Sequence, residues 1–299
     1  MEDFIIRGVD RVCGVRFAVA QTTEMAAKAV VTHDADPQGA GIAIDAATLA
    51  ALMSILIEDD EKYSIRWEYP GAASVIWADV NAAGDVRVCP SQPRLAEFPQ
   101  DVDSIYGKED GNLAVTRSEN GKILNSGHTT APLGSLAGDL AFFLSTSDQV
   151  ETEIVTAYTF NADPANPVAT AAGFMMQALP GCDLEKFAPL RELIVTNDFR
   201  KELAESPVSA EKWVRGLLCH AFNVADDNIN ARFNYDFAAP IDLRCHCNKE
   251  KMQAAINLLD PKEIEEIIAN EGAVKIQCRF CRQQYSFAAP TQSTGDSSQ

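Results

Sequence analysis

The sequence predicts an α+β protein in three parts. These are an N-terminal antiparallel-sheet domain with a few helices (1–180), a helical linker (181–240) and a small C-terminal helix–helix–hairpin module (241–288). Three observations predict it. Short alternating or β-branched apolar runs separated by turn signals dominate the first part. Pro180-Gly181 breaks that pattern, and helical periodicity follows. Half of the eight cysteines then fall in two tight pairs near the end of the chain.

In the first part, residues 12–20 read as a strand, and residues 24–32 as a helix with Thr22 or Thr23 as cap. Residues 47–57 read as a helix with Leu49, Leu52, Met53 and Leu56 along one face. Strands are expected at 63–69, 74–81 and 85–89, the last after a turn at Ala83-Gly84. Residues 112–117 and 122–124 flank Asn120-Gly121, a hairpin turn signal. A helix is expected at 133–144 and strands at 151–160 and 174–179. Antiparallel sheet with few helices is the α+β class.

Beyond Pro180-Gly181, helices are expected at 190–203 and 210–222. The second has Trp213, Val214, Leu217, Leu218 and Ala221 on one face, which needs a cover. Packing on the first domain is the simplest cover. Phe233, Tyr235 and Phe237 alternate before Pro240, as in an extended arm.

The C-terminal module carries the chemistry. Cys245-His246-Cys247 is a C-x-C pair, and Cys278-Arg-Phe-Cys281 a C-x-x-C pair thirty residues further on. Neither pair could hold a metal alone; together they supply the four thiolates of a closed structural Zn²⁺ site. Side chains two apart on an extended segment point the same way, so Cys245 and Cys247 can face one ion. His246 is read as a spacer rather than a ligand. Unrelated thiols, structural disulfides or a dithiol oxidoreductase remain as alternatives. The C-x-x-C follows a strand instead of opening a helix, which speaks against the last.

The spacer is built to bring the pairs together. Asn248 is a fit N-cap for a helix bearing Met252, Ala255, Ile256 and Leu259. Asp260-Pro261-Lys262-Glu263 starts a second helix, with Ile264, Ile267 and Ile268 as its stripe and Gly272 as its end. Val274 and Ile276 before the C-x-x-C turn, and Tyr285 and Phe287 after it, alternate as in a hairpin. The tail, 289–299, is rich in Ser, Thr, Gln and Gly and is expected to be disordered.

Composition narrows the function. The net charge is −18, and the cysteine module is close to neutral, so the rest carries nearly all of it. Such a surface repels nucleic-acid phosphates and anionic membranes, so neither is expected as a partner. No apolar run is read as long enough to span a bilayer. No signal peptide is seen, and thiols at zinc spacing point to a reducing cytoplasm. No P-loop, dinucleotide fingerprint or G-x-S-x-G is present, so an enzyme is not expected. Cys13, Cys89, Cys182 and Cys219 stand singly and are read as small buried hydrophobes.

The cysteine pattern, its spacer and the following Tyr-x-Phe resemble the 33 kDa heat-shock chaperone family, redox-regulated holdases often labelled 33 kDa chaperonins. Asp139-Leu-Ala-Phe-Phe-Leu-Ser-Thr-Ser-Asp-Gln149 is similar to that family's Asp-x-Ala-x-Tyr-Phe…Ser-Glu-Gln stretch. Ala171-Ala-Gly-Phe-Met-Met-Gln177-Ala-Leu-Pro180-Gly181 is similar to its Ala-Gly-Gly…Gln…Pro segment, with one glycine, Gly173, where two are usual. Arg87-Val-Cys89-Pro90 stands where the family has Arg-Gly-Tyr.

The resemblance implies an ATP-independent chaperone that binds unfolding proteins under oxidative stress. It implies one Zn²⁺ per chain in the reduced, inactive form, held by Cys245, Cys247, Cys278 and Cys281. It further implies disulfides Cys245–Cys247 and Cys278–Cys281 on oxidation, loss of zinc and unfolding of the C-terminal switch. Clients and, in the oxidised form, a homodimer are the partners it implies. Trp213, Leu217 and Leu218 are the linker candidates for client contact. A zinc-stapled adaptor without redox switching and a thiol–disulfide oxidoreductase are the competing readings.

Overall fold

One apolar helix between two sheets organises most of the chain in the computed structural model, which describes residues 2–206, 209–237 and 240–288. The tail expected to be disordered, 289–299, lies outside the described residues. The chain divides into two compact units, Met1–Arg244 and Cys245–Gln299.

The larger unit begins with the hairpin β1 (Phe4–Asp10) and β2 (Val15–Gln21), then α1 (Thr23–His33) and α2 (Pro37–Met53). Next come β3 (Glu61–Glu68), β4 (Val75–Asn81), β5 (Asp85–Pro90) and the short α3 (Val102–Tyr106). β6 (Gly111–Glu119), β7 (Lys122–Ala131), α4 (Leu136–Thr146), β8 (Thr152–Phe160) and β9 (Val168–Ala178) complete the part expected to be sheet-rich. Then follow α5 (Leu184–Ile194), α6 (Asn197–Leu203), α7 (Ala210–Ala221), α8 (Ile229–Arg232), β10 (Phe233–Phe237) and β11 (Asp242–Leu243).

One sheet has the order β10-β1-β2-β9-β8 and is antiparallel throughout. The other has the order β11-β5-β4-β3-β6-β7, antiparallel except where β11 joins β5 in parallel. α2 lies between them. Its Ile44, Leu49, Leu52 and Met53 share a core with Ile5, Ala18 and Met175 of the first sheet and Ile65, Trp67 and Val88 of the second. The opposite face of the first sheet, with Ile6, Phe17, Val19, Phe174 and Met176, is covered by α5, α6 and α7. β2 and β9 are therefore buried on both faces, and their residues read as near-continuous apolar runs.

Most expected elements form, and the departures have local causes. β1 was not expected; its Ile5 and Ile6 are buried on opposite faces, so it lacks the alternation that marks a half-exposed strand. Residues 12–14 belong to the β1–β2 turn, and the strand begins at Val15. The helix expected at 47–57 starts ten residues earlier, at Pro37. Asp36 caps it by accepting from the Gly39 amide (2.8 Å), and Pro37 sits at its first turn. With the 3-10 turn to Leu56 it makes 20 residues of mean hydropathy 1.8, long and apolar enough to cross a membrane. That corrects the expectation that no run reaches this length; 78% of the window is buried inside the fold, as befits a central core helix. The helix expected at 190–203 is two helices. Thr196 ends one by donating to Leu193 O (2.8 Å) and caps the other by accepting from the Phe199 amide (3.3 Å). The arm at Phe233, Tyr235 and Phe237 is a paired edge strand. Asn120 and Gly121 both have positive φ (49° and 80°), as the hairpin turn requires.

The motif residues upstream of the cysteines are structural. Buried Asp139 accepts from the Leu133 amide (2.8 Å), the Ser135 amide (3.2 Å) and the Tyr69 hydroxyl (2.7 Å), tying the start of α4 to the residue that follows β3. Gln177 accepts from Arg16 (2.7 Å) and donates to Thr152 (3.0 Å).

Desolvation of Asp45 contributes a pH dependence. Asp45, on α2, has a buried Oδ1 without a hydrogen-bond partner among the described residues, and burial pushes its pKa to about 6 against the pull of Thr156 and Arg200. A raised carboxyl pKa means the folded state holds the proton more tightly than the unfolded chain. The stability from this group is present below about pH 4 and is lost as pH rises to about 6. Asp45→Asn should therefore stabilise the protein at pH 7, by up to about 3 kcal/mol, and leave it unchanged near pH 4. Urea melts at the two pH values test this; an equal effect at both would contradict it.

Candidate metal centre

The smaller unit is α9 (Lys249–Ile256), α10 (Pro261–Glu271) and the hairpin β12 (Ala273–Gln277) with β13 (Gln284–Ala288). The sequence signals act locally as expected. Asn248 caps α9 by accepting from the Lys251 amide (2.8 Å) and Asp260 caps α10 by accepting from the Lys262 amide (2.9 Å). Gly272, at φ 76°, ends α10. α9 stops at Ile256, so Leu259 leaves the helix and is exposed. The core is small: Ile256, Val274 and Phe287 are buried, with Met252, Ile264, Ile267, Ile268, Ile276 and Tyr285 packed around them.

This frame brings Cys245 and Cys247, just before α9, against Cys278 and Cys281 at the hairpin turn. The turn is tight: the Arg282 amide donates to Cys278 O and the Cys278 amide to Gln283 O, both at 2.9 Å. All four Sγ atoms lie within 4.8 Å of one another. The Cys245–Cys278 sulfurs are 3.7 Å apart and Cys247–Cys281 3.3 Å, so each member of one pair abuts a member of the other. Cys247 Sγ is also 3.1 Å from the Tyr285 hydroxyl.

The donor set fits zinc. Four sulfurs at about 2.3 Å from a tetrahedral Zn²⁺ would be about 3.8 Å apart, close to the spacing found. Burial pushes the Cys245 and Cys281 thiols up. Burial would raise Cys278 as well, but amide donors at Cys281 and Phe280 and the neighbouring thiols hold it below the usual thiol range. Packed thiols that resist losing their protons in each other's company are what a cation would relieve.

The remaining cysteines divide. Cys89 is buried as expected, but Cys13, Cys182 and Cys219 are only partly so. The linker candidates Trp213, Leu217 and Leu218 are buried, at 8%, 0% and 0% exposure, against the first sheet. The Trp213 indole donates to Glu202 O (3.3 Å). They lie in the larger unit, apart in sequence from the thiols.

Comparison with known proteins agrees with this architecture. The 33 kDa chaperonin of Bacillus velezensis is 26% identical over 290 residues, covering 95% of each chain. That of a Geobacillus species is 26% identical over 292 residues, covering 96% of this chain and 95% of its own. The crystal structure of the 33 kDa chaperonin of Thermotoga maritima, a heat shock protein 33 homolog, superposes with a TM-score of 0.75 at 23% identity, over 96% of this chain and 95% of that one. The similarity thus reaches the N-terminal strands, where residues alone carried little of the resemblance. The sequence profile described as Hsp33 protein matches residues 3–288, and with that match the chain belongs to the Hsp33 family.

Proposed function

We propose that this chain is an ATP-independent holdase, a chaperone that binds unfolding proteins, switched on by oxidation of Cys245, Cys247, Cys278 and Cys281. The observation that carries the reading is the gathering of four thiols within 4.8 Å in a unit whose own core is only a few side chains. Relatives named 33 kDa chaperonin support it.

In the reduced form the four thiolates would hold one Zn²⁺, and so would tie the start of α9 to the β12–β13 turn. Ligation and folding of this unit are one equilibrium, on the order of 10 kcal/mol for structural zinc. Oxidation by peroxide would form two S–S bonds: the four thiolates give up four electrons, and two H₂O₂ take these with four protons from solvent to become four H₂O. Disulfides are poor ligands, so the cross-link is lost, and a unit this small has little burial to replace it. The pairing we propose is Cys245–Cys247 and Cys278–Cys281, as in the family resemblance. The cross-pair spacing of the reduced thiols makes peptide mapping the deciding measurement. Loosening of the C-terminal unit would spread to residues 181–240 and uncover the apolar faces that Trp213, Leu217 and Leu218 now close. Exposed apolar surface takes up unfolded chains, and a net charge of −18 keeps the loaded protein dispersed. The reading places the protein in a compartment that keeps thiols reduced, such as the cytoplasm, and includes a homodimer of the oxidised form.

Peroxide-treated protein should prevent a chemically denatured client from aggregating on dilution, followed by light scattering, while reduced zinc-loaded protein should not. Dithiothreitol with zinc should return it to the inactive form. Equal holding by both forms would contradict the switch, and catalytic turnover of a dithiol substrate would favour an oxidoreductase.

A further inference from the structure

β10 and β11, the last strands of the larger unit, lie at the edges of its two sheets. β10 is the outer strand on β1, and β11 the outer strand on β5. The Asp242 amide donates to Gly84 O (3.1 Å) and the Arg244 amide to Val86 O (2.8 Å). The next residue is Cys245. Both edge strands thus lie just ahead of the first thiol in the sequence.

β10 covers a defined surface. The Arg11 amide donates to Arg232 O (3.0 Å), which sets Val9–Asn234 and Arg7–Asp236 as the hydrogen-bonded pairs further along the ladder. Phe233, Tyr235 and Phe237 share a face with their partners Asp10, Gly8 and Ile6. Phe233 meets Phe17 (ring centroids 5.7 Å) and Phe237 meets Phe4 (5.6 Å). Tyr235 fills the notch at Gly8, where an added Cβ would come within 2.6 Å of the tyrosine Cβ. Without β10, β1 would present a row of unpaired amides and carbonyls beside three apolar stations.

We propose that the β1 edge is the client site: the switch strips β10 from β1, and an extended segment of an unfolded protein replaces it as the outer strand. The proposal rests on the holdase reading above and specifies its recognition chemistry. Main-chain hydrogen bonds would supply sequence-tolerant affinity, and aromatic or large apolar side chains at alternate positions would supply the preference. The chain's own β10 is the template for that preference.

The probe is a fluorescent peptide with the sequence of residues 231–237, titrated into full-length protein. Peroxide-treated protein should bind it at least about tenfold more tightly than reduced protein, a difference of about 1.4 kcal/mol. It should compete with an unfolding client, and a peptide with alanine in place of its three aromatics should not. Equal affinity for both forms, or binding that leaves client holding untouched, would overturn the proposal. Asp236→Pro in the full chain removes a ladder amide and frees β10 without oxidant. This variant should bind the peptide while reduced and zinc-loaded. If it does not, and oxidised wild type still holds clients, the strand site is wrong and the switch stands. If it does, while peroxide neither removes zinc from wild type nor activates it, the redox reading fails and the strand site stands.

Discussion

Cys278→Ser should leave the protein with little bound zinc and a C-terminal unit that no longer folds. Cys278 is the most buried of the four thiols, sits where β12 enters the turn, and is the one held below the usual thiol range. Losing one of four donors forfeits much of a term on the order of 10 kcal/mol. The nine apolar side chains in and around that core offer little to replace it. The effect should be confined: the larger unit has separate cores built on α2 and on the first sheet. Cys89→Ser, buried in β5 outside the cluster, is the control and should keep its metal. Zinc content by mass spectrometry under native conditions measures both. Full occupancy in Cys278→Ser would remove that thiol from the site.

Leu217→Ala should have the largest effect away from the metal centre. Leu217 is fully buried on α7, among residues that cover the first sheet. Truncating a buried leucine costs about 2–5 kcal/mol, through lost burial and the cavity left behind. The loss falls on the helical segment that we propose must loosen. The variant should therefore melt earlier and hold clients at a lower peroxide dose than wild type. A lowered melting temperature with an unchanged dose response would mean that α7 is only structural.

The C-terminal unit was almost wholly legible in the sequence because its signals are local. Asn248 and Asp260 cap helices by bonding amides two or three residues away, Gly272 ends one with a positive φ, and the C-x-x-C turn closes on itself. The long-range features were not legible. Nothing near Phe233 says that its strand pairs with Phe4–Asp10, more than two hundred residues earlier. α2 escaped at its start because it is buried nearly all round and has no amphipathic contrast to read. The α5–α6 break was hidden by apolar spacing that runs on through both helices, although Thr196 was the cap signal that marked it. At the candidate metal centre, spacing singled out the four cysteines that lie together but not their neighbours. Tyr285 is legible as a strand residue and as part of the Tyr-x-Phe after the C-x-x-C, but nothing in the spacing says that its hydroxyl touches Cys247.

In the proposed switch, oxidising four thiols unfolds the C-terminal unit and loosens the segment before it. Hydrogen exchange on full-length protein, reduced with zinc and then peroxide-treated, tests this most directly. Amides of residues 245–287 should lose protection, those of α5 to α7 and β10 should follow, and β2, β3, β4 and β9 should keep theirs. Oxidised protein that has lost its zinc and holds clients, while residues 245–287 keep full protection, would contradict it.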